Sequence, residues 1–147
     1  MAVSKIKILL AGSPQLALPA FQAILNDDRF QVVGLLTQPD QPAGRGWKLT
    51  PPPAKVWAVE NNLAVWQPEK LKTWLPTLTE IAPDIVIVIA YGKLIPEALL
   101  ELPEFGWINV HGSLLPKYRG AGVLSAPIIN GDQQTGVSIM KLVKELD

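Results

Sequence analysis

Residues 84–92, DIVIVIAYG, constrain this chain more than any other stretch. From Ile85 to Ile89 the residues are β-branched and apolar without a polar interruption. A strand with one wet face alternates apolar and polar residues, so an unbroken Ile-Val run fits a central parallel strand covered on both faces. Parallel neighbours need long crossover connections, and the rest of the chain supplies them. Strand-length apolar runs alternate with helix-length amphipathic segments, the pattern of right-handed βαβ units. The expected class is therefore α/β.

Residues 5–11 read as the first strand, followed by Ser13 as N-cap and Pro14 at the first position of a helix reaching about Asn26. Leu18, Phe21 and Leu25 give that helix its buried face. Residues 31–37 form a second strand, and a long loop then runs to a helix capped by Thr50 with Pro51 at its start. That loop is too long for a mere connection. A short strand over 63–67, a weaker helix over 70–82 and the central strand follow. Pro96 opens a short helix, residues 107–110 form a fifth strand, 123–130 a helix, and 135–143 begin a sixth strand.

The 147 residues, 48% hydrophobic and 18% charged, suffice for one globular domain with its own core. A formal net charge of zero means that any polyanionic partner must be met by a local basic patch. With no cysteine and one histidine, disulfides are excluded and a transition-metal site is not expected. The apolar run of the opening MAVSKIKILLAGSPQ is too short for an export signal or a bilayer span, so a cytoplasmic protein is expected. Fourteen prolines at this apolar content point to long ordered loops rather than disorder.

Three stretches invite chemistry. AGSPQ, residues 11–15, ends the first strand with a glycine, but neither G-x-G-x-x-G nor a phosphate-loop signature is present, so it reads as a strand-to-helix turn. QPAGRGWK, residues 41–48, sets Arg45 between two glycines beside Trp47 and Lys48. It is either a solvated surface loop or a guanidinium and an indole offered to a large anionic partner. NVHG follows a buried strand, and strand carboxyl ends are where α/β sites gather. Alternation aims the side chains of Asn109 and His111 the same way. An amide donor beside an imidazole suits acyl transfer, one group stabilising an oxyanion and the other handling a proton. On position alone, His111 is either that or a structural histidine.

The run NVHGSLLPKYRGAG, followed by NGDQQTGVSIM and then a terminal Leu-Asp, resembles the folate-dependent formyltransferases. The motif N-x-H-G-S-L-L-P-x-x-R-G with a later T-G-V and an aspartate is long and specific. AGSPQLA, TQPDQPAGRGWKLTPPPAKVWA and VIAYGKLIP are similar to the branch whose acceptor is methionyl-initiator tRNA, so the resemblance covers the whole chain. The resemblance implies a Rossmann-like, predominantly parallel twisted sheet with helices on both faces. It implies a catalytic trio of Asn109, His111 and Asp147 and a folate-contacting turn of Ser113, Leu114, Leu115 and Pro116. The pterin is expected near Ala90, Tyr91 and Gly92, and tRNA along the loop carrying Arg45, Trp47 and Lys48. The donor implied is 10-formyltetrahydrofolate, with no metal and no membrane, and the protein is expected to be a monomer. The sequence departs from its relatives at Val123 and Pro127, the valine standing where they carry a proline. Members of the family run to about twice this length, so residues 1–147 are expected to be an N-terminal catalytic domain, incomplete at its C-terminal end and without the family's C-terminal β-barrel domain. A nucleotide sugar or other small amine as acceptor, or an inactive folate-binding fragment, are the alternatives, and the Arg45 loop is the feature that discriminates among acceptors.

Overall fold

The structure is a computed structural model, and it describes residues 3–144. Its sheet is built from β1 (Ile6–Gly12), β2 (Phe30–Leu36), β5 (Val65–Trp66), β6 (Ile85–Ile89), β7 (Trp107–His111) and β8 (Ser138–Lys141). A separate hairpin is formed by β3 (Gln41–Ala43) and β4 (Lys48–Thr50). The helices are α1 (Leu18–Leu25), α2 (Pro53–Glu60), α3 (Leu75–Ile81), α4 (Glu97–Leu100) and α5 (Ala126–Ile129).

The strand order is β5-β2-β1-β6-β7-β8, and every neighbouring pair but the last is parallel. The chain winds outward from β1 to β5, then returns to place β6 on the other side of β1. The order therefore reverses between β1 and β6, and in open α/β sheets ligands bind beside the carboxyl ends of the strands at such a reversal. β8 runs antiparallel to β7, pairing Asn109 with Met140 and His111 with Ser138. The apolar runs predict six strands but not this reversal of direction, which depends on how the chain returns after α5.

Helices cover both faces, as the uninterrupted run of β6 requires. On one face Leu9, Ala11, Val86, Val88 and Trp107 pack against Trp74, Leu78 and Leu99. On the other Ile8, Leu10 and Leu35 pack against Phe21, Ala54, Trp57 and Ala58 of α1 and α2. Leu18 and Leu25 lie at the margin of that second cluster, so the predicted buried face of α1 holds. The indole N–H of Trp107 donates to the carbonyl of Leu99 at 2.7 Å, which satisfies the polar atom of a fully buried ring.

Three predicted helix starts are displaced. Ser13 caps no helix: a 3-10 turn over Gln15–Ala17 comes first, and the Ser13 hydroxyl instead accepts from the Thr37 hydroxyl at 3.1 Å and the Gln38 N–H at 3.2 Å. Thr50 ends β4 and donates to the Lys48 carbonyl, while α2 begins three residues later with Pro52 at its cap. α5 begins at Ala126 rather than Val123; residues 121–125 form a turn that Gly120 and Gly122, both of positive φ, lead into.

Candidate active site

The carboxyl edge of the sheet gathers the chemistry. Gly12 pairs with Ile89, and Val88 with Asn109, so the segments leaving β1, β6 and β7 emerge side by side. Gly12 allows this convergence: a Cβ there would stand 2.5 Å from the Ile89 carbonyl oxygen and 2.8 Å from the Phe21 ring.

Asn109 and His111 lie two apart on β7 and share a face with Trp107, as strand alternation demands. The Asn109 side chain is half-buried and makes no hydrogen bond among the described residues, so its amide remains available as a donor. His111 is buried, at 6% exposure. Its Nε2 lies 2.8 Å from the backbone carbonyl of Tyr118. Asp147, the third predicted member of the trio, lies outside the described residues.

The turn after His111 is fastened at several points. The buried Ser113 hydroxyl donates to the same Tyr118 carbonyl at 3.0 Å. Ser138 of β8 donates its hydroxyl to the Ser113 carbonyl at 2.7 Å and accepts the Leu115 N–H at 3.1 Å. Leu114 and Pro116 are exposed, Leu115 is half-buried, and the Leu115–Pro116 peptide is cis. Further along, the Tyr118 phenol donates to Asp132 at 2.6 Å and accepts from Asn130 at 3.0 Å, while Lys117 reaches the other Asp132 oxygen at 2.9 Å. The Tyr118 hydroxyl, and then the Lys117 ammonium, hold the Asp132 carboxyl below the usual carboxylate range.

The loop after β6 is the other wall. Ala90 and Gly92 are exposed and both hold positive φ, so the loop presents its backbone rather than bulky side chains. Tyr91 does the reverse, since its ring enters the core on the Trp107 face and is 1% exposed. Its hydroxyl has no hydrogen-bond partner among the described residues, and burial pushes the phenol up to about 12. The Gln38 side chain donates to the Tyr91 carbonyl at 2.8 Å, in space that any Cβ at position 92 would invade.

Arg45, Trp47 and Lys48 stand on the β3–β4 hairpin, which the sequence reading treats as a loop. Gly44 and Gly46 hold positive φ at its turn, and the Trp47 N–H reaches back to the Gly44 carbonyl. All of residues 41–50 are exposed, Trp47 to 80%. The hairpin leaves the sheet just beyond β2, and its root is tied to the site by Gln38 and to α2 by Asp40, which accepts from Lys55 at 2.8 Å and Gln67 at 2.7 Å. The Lys55 hydrogen bond, then that from Gln67, lowers the Asp40 carboxyl below its ordinary range.

The structure thus sets Asn109, His111, the 113–116 turn and the 90–92 loop along one edge, with the hairpin rooted there as well. Sequence reasoning overlooked Gln38, Asp40, Tyr118, Asp132 and Ser138. The T-Q-P-D and N-G-D stretches were visible as motifs, but the partners of these residues lie far away in sequence. The cleft between Glu97, Glu101, Lys141 and Lys144 belongs to the opposite edge, at the amino end of β7. Among the described residues no group of three or more His, Asp or Glu side chains is placed to hold a metal ion, and no helix is long and apolar enough to cross a membrane.

The doubly wound sheet carries an amide and an imidazole side by side at the carboxyl end of β7. The chain belongs to the formyl transferase family, whose N-terminal domain model matches residues 4–147. It is 46% identical over 144 residues to a methionyl-tRNA formyltransferase of Sulfurihydrogenibium, covering 96% of this chain and 46% of that protein. To the methionyl-tRNA formyltransferase of Clostridioides difficile it is 45% identical over 143 residues, again 96% of this chain and 46% of that one. The chain spans about half the length of the curated relatives it matches. The crystal structure of glycinamide ribonucleotide transformylase 1 from Geobacillus kaustophilus superposes with a TM-score of 0.75 at 22% identity, over 98% of this chain and 78% of that one. At that identity the likeness is one of fold.

Proposed function

We propose that this chain carries the catalytic edge of an enzyme that transfers the formyl group of 10-formyltetrahydrofolate to the α-amine of methionyl-initiator tRNA. One observation carries the reading: the Arg45 hairpin, an exposed cationic and aromatic arm, is rooted at the same sheet edge as Asn109 and His111. A small acceptor needs no such arm, whereas a nucleic acid offers phosphates to Arg45 and Lys48 and a stacking surface to Trp47. The names borne by the relatives point the same way.

The edge fits a folate. The 90–92 loop offers open backbone at two positive-φ residues, and Leu114 and Pro116 offer exposed apolar surface on the turn after β7. Ala90, Gly92 and the Ser113–Pro116 turn would hold the pterin end. Tyr91 contributes through its backbone, because its ring is committed to the core. When bound, the folate supplies an activated formyl carbon. Asn109 donates a hydrogen bond to the oxygen of that carbon as negative charge develops on it. His111 takes the proton lost by the attacking amine and returns it to the departing nitrogen, so no covalent enzyme intermediate is needed. Asp147 is proposed to orient the imidazole. The reaction belongs to translation initiation in the cytoplasm, where initiator tRNA is used.

The test is acceptor competition. With labelled formyl donor, the reading expects transfer to methionyl-tRNA and none to glycinamide ribonucleotide or an amino-sugar nucleotide. Transfer to either small amine in preference to tRNA would overturn it.

A further inference from the structure

Gln38 serves two walls of the site with different atoms. Its main chain belongs to the root of the β3–β4 hairpin, where its N–H donates to the Ser13 hydroxyl at 3.2 Å and its carbonyl accepts the Gln67 side-chain amide at 2.9 Å. Its side chain belongs to the loop after β6, where Nε2 donates to the Tyr91 carbonyl at 2.8 Å.

That carbonyl lies at the point where the loop has most freedom to turn. The Tyr91 ring is anchored in the core, but Ala90 and Gly92 on either side are exposed, with φ of 50° and 82°. An anchored ring fixes the Cα of Tyr91 and leaves the 91–92 peptide able to rotate about ψ. The hydrogen bond from Gln38 stops that rotation. Because the peptide is planar and trans, holding its oxygen on one side directs the Gly92 N–H to the opposite side. Gly92 completes the fit, since a Cβ there would collide with Gln38 Nε2. The next residue is held separately, the Lys93 ammonium donating to the Pro68 and Glu69 carbonyls at 2.9 and 3.1 Å.

We propose that Gln38 is a positioning residue for the folate: its side chain sets the 91–92 peptide of the folate wall, while its main chain independently holds the root of the tRNA arm. The two roles are separable, because a substitution at position 38 removes the side-chain bond and keeps both main-chain bonds. The role rests on reading residues 90–92 as the folate wall, so its test includes a part that needs no ligand.

In the free protein, Gln38→Met keeps the length of the side chain and donates nothing. It is expected to move the Gly92 amide resonance, whose nitrogen shares a peptide with the released carbonyl, and to leave the amides of β1 and β6 in place. Gln38→Ala is expected to do the same. An unmoved Gly92 resonance in both variants overturns the proposal. Tetrahydrofolate, which carries no formyl group and binds without turnover, and initiator tRNA then serve as separate probes. Gln38→Met is expected to raise the Kd for tetrahydrofolate about fivefold, the scale of one lost hydrogen bond, and to leave the Kd for tRNA within about twofold. Unchanged folate affinity, or equal losses for the two probes, overturns the proposal. Gly92→Ala displaces the same amide, so the double variant is expected to bind tetrahydrofolate no more weakly than Gly92→Ala alone. Additive losses would mean that the two residues do not act through one contact, and overturn it as well. If the Gly92 resonance moves as expected but the wild type binds no tetrahydrofolate, the functional reading falls and the hold of Gln38 on the loop stands.

Discussion

The Asp40 carboxylate receives the Lys55 ammonium at 2.8 Å and so fastens the root of the β3–β4 hairpin to α2. The arm that carries Arg45 is aimed by a residue outside it, and the aim depends on charge. Asp40→Asn should raise the KM for methionyl-tRNA roughly threefold and leave that for the folate unchanged, as expected when only binding of one substrate is weakened. Because the Lys55 hydrogen bond lowers the Asp40 carboxyl, the ion pair is complete above the usual carboxylate range and is lost only as pH falls through the depressed value. The mutant's defect should therefore be the same at pH 6 and pH 8. Steady-state kinetics at the two values checks this.

Arg45→Ala should act further along the same arm. Because Arg45 is exposed, its loss should leave folding stability within about 0.5 kcal/mol, and a Tm equal to wild type is expected. The KM for charged tRNA should rise by about tenfold, with a shallower dependence on salt because one phosphate contact is gone. An equal rise in the KM for the folate would count against the arm's role.

Tyr91→Phe should leave the protein as stable or stabilise it, by about 1 kcal/mol, because the ring packing is kept and an unpartnered buried hydroxyl is removed. Urea denaturation of the two proteins measures the difference. A loss of stability would mean that the hydroxyl contributes a favourable interaction.

Gly12→Ala should do the opposite. The added methyl meets the Ile89 carbonyl and the Phe21 ring at the junction of β1 and β6, and overpacking of this kind costs about 1–3 kcal/mol. A lowered urea midpoint with an unchanged m-value is expected.

The strands were legible because their information is local. The Ile85–Ile89 run declares burial on both faces, and the end of β7 locates Asn109 and His111 by the strand-end rule alone. The hairpin was not legible, because its two three-residue strands are fully exposed and carry no apolar alternation. Ser13 and Thr50 looked like helix caps because both precede prolines, yet their hydroxyls are used by Gln38 and by Lys48. Tyr118 could not be found by residue type, since its contact with His111 is made by a backbone carbonyl that any residue possesses. Ser138 acts on the 113–115 turn from 25 residues away, a relation fixed only when β8 turns back along β7.

The central claim is that His111 carries the proton in formyl transfer to methionyl-tRNA, and His111→Ala tests it most directly. Transfer of labelled formyl from 10-formyltetrahydrofolate should fall at least about 100-fold, the scale of a lost general acid-base group, with circular dichroism unchanged. Turnover near that of the wild type would contradict the account.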